Sequence, residues 1–149
     1  MCDARQVLAL RIIVRRPEAR LVLDTNFFVA AFWRPHGTSA RILAACEEDR
    51  FVLLYSPAIR GELVRILRQA RTTSVFQERI EELLSGAEEI HPRRSLRLVM
   101  DDPDDDKFLE CAVEGRADYI LTSDVHLLGL GSVEGVSIWT PARFAREYR

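Results

Sequence analysis

Lysine is almost missing from this chain. Lys107 is the only lysine among 21 lysine and arginine residues in 149. Cysteine is scarce and odd in number, with Cys2, Cys46 and Cys111 far apart. That excludes a disulfide framework and matches no zinc-ligand spacing. Cys46 and Cys111 fall on apolar helix faces, so buried thiols and a cytoplasmic, reducing environment are expected. No apolar run is long enough to span a bilayer, so no membrane partner is expected. Val7 to Val14 is apolar but broken by Arg11, and no small-residue cleavage site follows. It reads as an added strand, a helical turn or a tail rather than a signal peptide. Net charge is −2, so bulk charge does not mark a nucleic-acid binder. Repeats, low-complexity tracts and linkers are also lacking. What is present is ordinary for one soluble globular domain, at 48% apolar and 30% charged residues.

Strands and helices alternate along the chain. Leu21-Val22-Leu23 is short, apolar and β-compatible, and reads as a central strand. Thr38 or Ser39 is expected to cap a helix running to about Asp49, with Ile42, Leu43 and Cys46 on one face. Phe51 to Tyr55 has strand length. Ser56-Pro57 then opens a helix with Ile59, Leu63, Ile66 and Leu67 as its buried stripe. Another helix fits Thr73 to Leu84 and ends at Gly86. A strand is expected over Leu96 to Met100. The Asp-Pro-Asp loop caps a helix carrying Phe108, Leu109, Cys111, Ala112 and Val113, closed by Gly115. Tyr119-Ile120-Leu121 and Val136 to Trp139 are further strands, and Pro141 opens a terminal helix through Tyr148. Strands spaced by helices imply crossover connections and a mainly parallel sheet, an α/β fold. Residues 1–19 read as an N-terminal extension and 20–149 as the domain.

Acidic residues mark the ends of these elements. Leu21-Val22-Leu23 runs into Asp24-Thr25-Asn26. Leu96 to Met100 runs into Asp101-Asp102-Pro103-Asp104-Asp105-Asp106. Tyr119-Ile120-Leu121 runs into Thr122-Ser123-Asp124. In a parallel sheet the carboxyl ends of the strands line one crevice, where ligands bind. Acidic tips gathered there repel unless a cation or a proton relieves them. A divalent-metal site is the economical reading. Glu62 is a fourth acid of interest, on the helix after Ser56-Pro57 and near its apolar stripe. It either points up to the crevice or pairs with Arg65 or Arg60 at the surface. Arg60, Arg65, Arg68 and Arg71 share one helical stretch, and Arg93, Arg94 and Arg97 precede the acidic loop. Arginine forks suit phosphate, though solvated arginines explain them too.

Taken in order, four segments resemble the PIN domain family. They are Val22 to Asn26 followed by Phe27-Phe28-Val29; Ser56 to Leu63; Asp102 to Ala112; and Ala117 to Asp124 with Leu127-Leu128 after it. Their wording is similar to the toxin subgroup of that family. The resemblance spans about Arg20 to Tyr148 and implies a three-layer α/β/α fold. It implies a metal-dependent ribonuclease, the toxin of a toxin–antitoxin pair, with an RNA substrate, a cognate antitoxin and a homodimeric state. Asp24, Glu62, Asp105 and Asp124 then correspond to the acidic quartet that holds Mg²⁺ or Mn²⁺. Asp106, adjacent to Asp105, is the alternative ligand in the acidic loop. Asn26 and Thr122 correspond to polar neighbours that orient ligands or water. Asp102 caps the loop or supports the ligands from behind, Asp104 caps the helix, and Ser123 stands where the family often has glycine. Arg60, Arg65 and Arg97 are candidates to hold the RNA backbone rather than read bases.

The chemistry agrees with that assignment. Mg²⁺ and Mn²⁺ take hard oxygen ligands and keep several waters. Such ions lower the pKa of a bound water and stabilise the leaving oxygen of a phosphodiester, so no covalent intermediate is needed. His36 and His91 sit in proline-flanked turns, and a surface or capping role is expected for His126. Phe32 and Trp33 offer either a base-stacking surface or core and dimer contacts. A phosphoacceptor receiver needs an acidic pair after the first strand and a lysine after the last, and this chain has neither. A haloacid-dehalogenase phosphatase needs a second aspartate where Asn26 stands. The remaining alternative is a PIN fold that binds RNA or protein without cutting.

Overall fold

Three consecutive apolar residues form most of strand β1 (Arg20–Leu23), and Leu21, Val22 and Leu23 are at most 1% exposed. A strand buried on both faces belongs at the centre of a covered sheet. In this computed structural model, which describes residues 17–99 and 102–148, β1 lies between β2 (Val52–Tyr55) and β4 (Tyr119–Leu121), parallel to both. The full order is β3-β2-β1-β4-β6-β5. β3 (Glu88–Glu89) and β6 (Val136–Trp139) are also parallel to their inner neighbours. β5 (Ser132–Val133) alone runs antiparallel, joined to β6 by Glu134 and Gly135 with φ of 45° and 86°. Both turn residues are left-handed, as a tight primed hairpin requires, and glycine takes the more extreme angle without strain.

Helices cover the sheet. They are α1 (Thr25–Trp33), α2 (Thr38–Glu47), α3 (Pro57–Gln69), α4 (Ser74–Ser85), α5 (Asp106–Glu114), α6 (Val125–Leu128) and α7 (Pro141–Glu147). Their starts are encoded locally. Ser56, Thr73 and Thr140 each accept a hydrogen bond from the amide three residues on, and Pro57 and Pro141 follow as first helical residues. Phe108, Leu109, Cys111 and Ala112 of α5 are all 0% exposed, and the helix packs on β1, β2 and β4. Gly115 ends α5 where a Cβ would lie 2.9 Å from the Ile90 side chain and 3.0 Å from Leu54, so a larger residue would have to displace those side chains. Helices flanking a mostly parallel sheet make the expected three-layer α/β/α architecture.

Several sequence expectations are corrected. Residues 96–99 form no strand. The amides of Leu98 and Val99 go instead to one Asp106 carboxylate oxygen, at 3.0 and 2.9 Å, which removes them from any ladder. The strand beside β2 is Glu88–Glu89, too short and too exposed to give an apolar signal. It is held by a two-pronged Arg20 to Glu88 ion pair at 2.9 Å. Gly37, not Thr38 or Ser39, is the cap residue of α2, and the helix stops at Glu47 because Asp49 turns left-handed at φ 60°. Asp104 does not cap α5. Asp102 caps a 3₁₀ turn, Pro103–Asp105, by accepting from the Asp104 amide. The apolar segment Val7 to Val14, Cys2, Met100 and Asp101 lie outside the described residues. Among the described residues, no helix is long and apolar enough to cross a membrane.

Candidate active site

The chain runs outward from β1 to β2 to β3, then returns to β4 on the other side of β1 and runs out to β6. The order therefore switches between β1 and β4, where the carboxyl ends of α/β strands open a crevice. Asp24 and Asp124 follow those two strands. Their positions are set by helix starts. Asp24 caps α1 and accepts from the Asn26 amide, and Asp124 caps α6 and accepts from the His126 amide at 2.7 Å. Thr122 ties the two tips together. Its hydroxyl donates to Asp24 Oδ2 at 2.7 Å and accepts from the Asp124 amide at 3.0 Å. Thr122 and Asp24 are buried, while Asn26 and Ser123 are exposed at the rim.

The acidic loop delivers one carboxylate inward and turns the next one back. Asp106 is buried against the loop amides already described and holds the chain in place. Asp105, one residue earlier, lies by the tips. Its Oδ2 is buried and has no hydrogen-bond donor. Burial first, then the charges of Asp102 and Asp124, push its carboxyl up to about 7 from the ordinary 3.8. Asp24 is raised too, chiefly by burial, against the lowering pull of Thr122 and the Asn26 amide, with Glu62 and Asp124 adding repulsion. Asp105 and Asp124 can share a hydrogen bond only with a proton between them, because ionised carboxylates only accept. At neutral pH this is a crowded set of like charges.

Glu62 does face this crevice, but it does not pair with Arg60 or Arg65. Its Oε1 lies 2.9 Å from Lys107 Nζ, and its Oε2 accepts from the Thr25 hydroxyl at 3.0 Å. Lys107 also reaches the Asp104 carbonyl at 3.0 Å and its carboxylate at 3.2 Å. Burial alone would lower the Lys107 pKa, but its hydrogen bonds to Glu62 and Asp104 prevail and raise it. Sequence reasoning missed Lys107 and Thr25. The available signal was the chain's single lysine placed directly after the acidic run.

The three tips offer carboxylate oxygens, which are hard donors. That suits Mg²⁺ or Mn²⁺ rather than zinc. Among the described residues, no three His, Cys, Asp or Glu side chains already close into a metal cage. Carboxylates that repel turn to their own donors, as Asp24, Asp124 and Glu62 do here. Mg²⁺ itself takes one or two carboxylates and several waters. The donorless oxygen of Asp105 is what a hydrated cation would satisfy. The residues fit such an ion. A cleft of about 420 Å³ lies elsewhere, near the start of β2, and of its acids Glu47, Asp49 and Glu82 the first is already paired with Arg79.

The arginines are placed less uniformly. Arg60 forms an ion pair with Glu81 of α4, Arg93 with Glu114 and Arg94 with Glu134. Arg65 and Arg97 are exposed. Trp33 is 59% exposed and stacks edge-on against Phe32, which packs on Phe76.

Comparison with known proteins bears on this arrangement. The sequence profile of the PIN domain matches residues 20–126, which includes all three tips and Glu62. An uncharacterized protein of Methanocaldococcus jannaschii is 30% identical over 117 residues, 74% of each chain. Among solved structures, VapBC2 of Rickettsia felis, crystallised bound to a DNA fragment from its promoter, superposes with a TM-score of 0.56 at 15% identity. That match covers 80% of this chain and 96% of the other, and shows likeness of fold.

Proposed function

The chain belongs to the PIN domain family, and from that premise we propose that it is a metal-dependent endoribonuclease, the toxin of a toxin–antitoxin pair. The observation that carries the metal reading is the buried, donorless Asp105 oxygen set against Asp24 and Asp124 at the switch point. Asp24, Asp105 and Asp124 would hold Mg²⁺ or Mn²⁺, with Glu62 as the fourth carboxylate of the crevice. When bound, such an ion supplies charge for the phosphodiester and acidifies a coordinated water. The chain does the rest. Thr122 fixes the spacing of Asp24 and Asp124. Asp102 caps the 3₁₀ turn that presents Asp105, and Asp106 anchors the preceding segment through the Leu98 and Val99 amides. Asn26 and Ser123, exposed beside the tips, would hydrogen-bond a substrate phosphate or its water. Arg65 and Arg97 are the exposed cations proposed to hold single-stranded RNA backbone, and Arg60 would join them only on leaving Glu81. A cognate antitoxin and a homodimer belong to the same proposal, supported by the family and by the VapBC2 likeness in fold.

The test is cleavage of a mixed single-stranded RNA pool with EDTA, Mg²⁺ or Mn²⁺, comparing wild type with Asp24→Asn. Asparagine also caps helices well, so the variant should fold. Metal-dependent cutting that the variant lacks is the expected result. One observation favours the rival, a PIN fold that binds RNA or protein without cutting: Glu62 is already neutralised by Lys107. Equal, metal-independent RNA retention by both proteins, with no cutting, would favour that rival.

A further inference from the structure

We propose that Lys107 is a built-in cation that keeps Glu62 out of the metal's ligand set, so that the ion rests on the three aspartates and Glu62 is a positioning residue. This rests on the metal-dependent reading above. Both oxygens of Glu62 are taken, one by Lys107 at 2.9 Å and one by the Thr25 hydroxyl at 3.0 Å. Lys107 is equally committed. Its ammonium has three protons, and it meets Glu62, the Asp104 carbonyl and the Asp104 carboxylate. The pair is largely sheltered, with side chains 12% and 15% exposed. The ammonium also lies 5.2 Å from the centroid of the ring of Phe108, the next residue of α5, itself fully buried. Recruiting Glu62 to an ion would cost this sheltered ammonium its buried partner and leave it only Asp104, whose side chain is exposed, whereas Asp105 offers an oxygen with no partner to lose.

Residue choice points the same way. Arginine is used at every other basic position of the chain. A guanidinium is a planar fork, whereas an ammonium is a compact point charge able to serve convergent acceptors. Three acceptors around one nitrogen need the latter. The lysine thus neutralises one carboxylate of a crowded crevice permanently and leaves the charge of the aspartates for the ion. Thr25, at the first residue of α1, links Glu62 back to the Asp24 tip, so the pair also braces α3 and α5 against α1.

Mn²⁺ binding, followed by calorimetry on folded protein, separates the possibilities. Asp105→Asn should weaken binding by at least about tenfold, roughly 1.4 kcal/mol. Lys107→Met should tighten it several-fold, because a negative charge is released beside the ion. The charge-neutral double variant Glu62→Gln with Lys107→Met should bind within about threefold of wild type. A tenfold loss in the double variant would show Glu62 to be a ligand and overturn the proposal while leaving the metal reading intact. No Mn²⁺ binding by wild type would overturn both. A second readout needs no variant. In protein labelled with ¹⁵N-lysine the single ammonium gives one signal, and it should persist at the same shift when diamagnetic Mg²⁺ saturates the site. Its loss or large displacement on Mg²⁺ addition would also overturn the proposal.

Discussion

Replacing Asp105 by asparagine should make the metal-free protein more stable at pH 8 and leave it unchanged at pH 4. The folded carboxyl titrates near 7 instead of 3.8, through burial and the neighbouring Asp102 and Asp124 charges. In the unfolded chain the proton leaves near the ordinary value. Between those two points folding takes up a proton, so wild-type stability falls as pH rises from about 4 to about 7. Asparagine does not titrate and carries no such slope. Each pKa unit is worth about 1.36 kcal/mol, so full linkage would reach about 4 kcal/mol. Asp105 is only partly buried, and solvent screening reduces this to about 1–2 kcal/mol. For a domain of this size that corresponds to about 3–6 °C in Tm. Thermal unfolding in EDTA, recorded from pH 4 to pH 8 for both proteins, reads it directly. Mg²⁺ should close most of that gap, because a ligand at a hundredfold its Kd adds about 2.7 kcal/mol to wild type and only about 1.4 kcal/mol to a variant that binds tenfold more weakly. A variant less stable than wild type at every pH would refute the reasoning, since Asp105 would then be a structural carboxylate.

Asp106→Ala should behave oppositely to its neighbour. It leaves the Leu98 and Val99 amides without their acceptor, costing about 2–4 kcal/mol in urea unfolding at pH 7, while the folded fraction keeps its Mn²⁺ affinity. Thr122→Val removes the hydroxyl that links Asp24 to the Asp124 amide. A loss of about 1–2 kcal/mol in thermal unfolding is expected, together with weaker metal binding. Burial pushes the Cys46 and Cys111 thiols up to about 12. In a Cys2→Ser background neither should react with a disulfide reagent at pH 8 until the protein is unfolded, and prompt reaction of the native protein would contradict their burial.

What was legible beforehand follows the strength of local signals. Buried strands such as Leu21 to Leu23 announce themselves by an unbroken apolar run, and caps such as Ser56 before Pro57 by residue type. Asp24 and Asp124 were visible because strand ends are. The segment 96–99 misled because its apolar residues look like a strand, yet its amides are claimed by Asp106, a contact seven and eight residues away that no periodicity encodes. β3 was invisible because it consists of two glutamates, one of them held through Arg20 from 68 residues away. The choice between Asp105 and Asp106 also lay beyond sequence. Adjacent residues at a helix start point in different directions, and only the path of the loop decides which one enters the crevice. Lys107 was noticed as the single lysine, but its partner lies 45 residues away on α3.

Two of the aspartates proposed to hold the ion, Asp24 and Asp124, are also helix caps, and that coincidence has a physical basis. A strand that ends at the crevice passes directly into a helix, and the first amides of that helix need an acceptor. An aspartate at that point supplies one with a single oxygen, and the helix dipole favours its charge. Asp124 gives Oδ1 to the His126 amide. Its other oxygen remains available to the crevice. Asp24 is more heavily used, with Oδ1 toward the Asn26 amide and Oδ2 toward Thr122, but both donors are neutral, so its charge is not cancelled as that of Glu62 is by Lys107. Asp105 stands at the start of α5 with no side-chain cap bond. It is therefore the least satisfied of the three and the one whose ionisation most depends on a cation. The caps hold Asp24 and Asp124 in place whether or not an ion is present, and the cost of their proximity concentrates on Asp105. Removing the charge at Asp105 should consequently relieve the apo protein more than removing it at either cap, where asparagine keeps the cap bond but gives up the charge that the helix dipole favours.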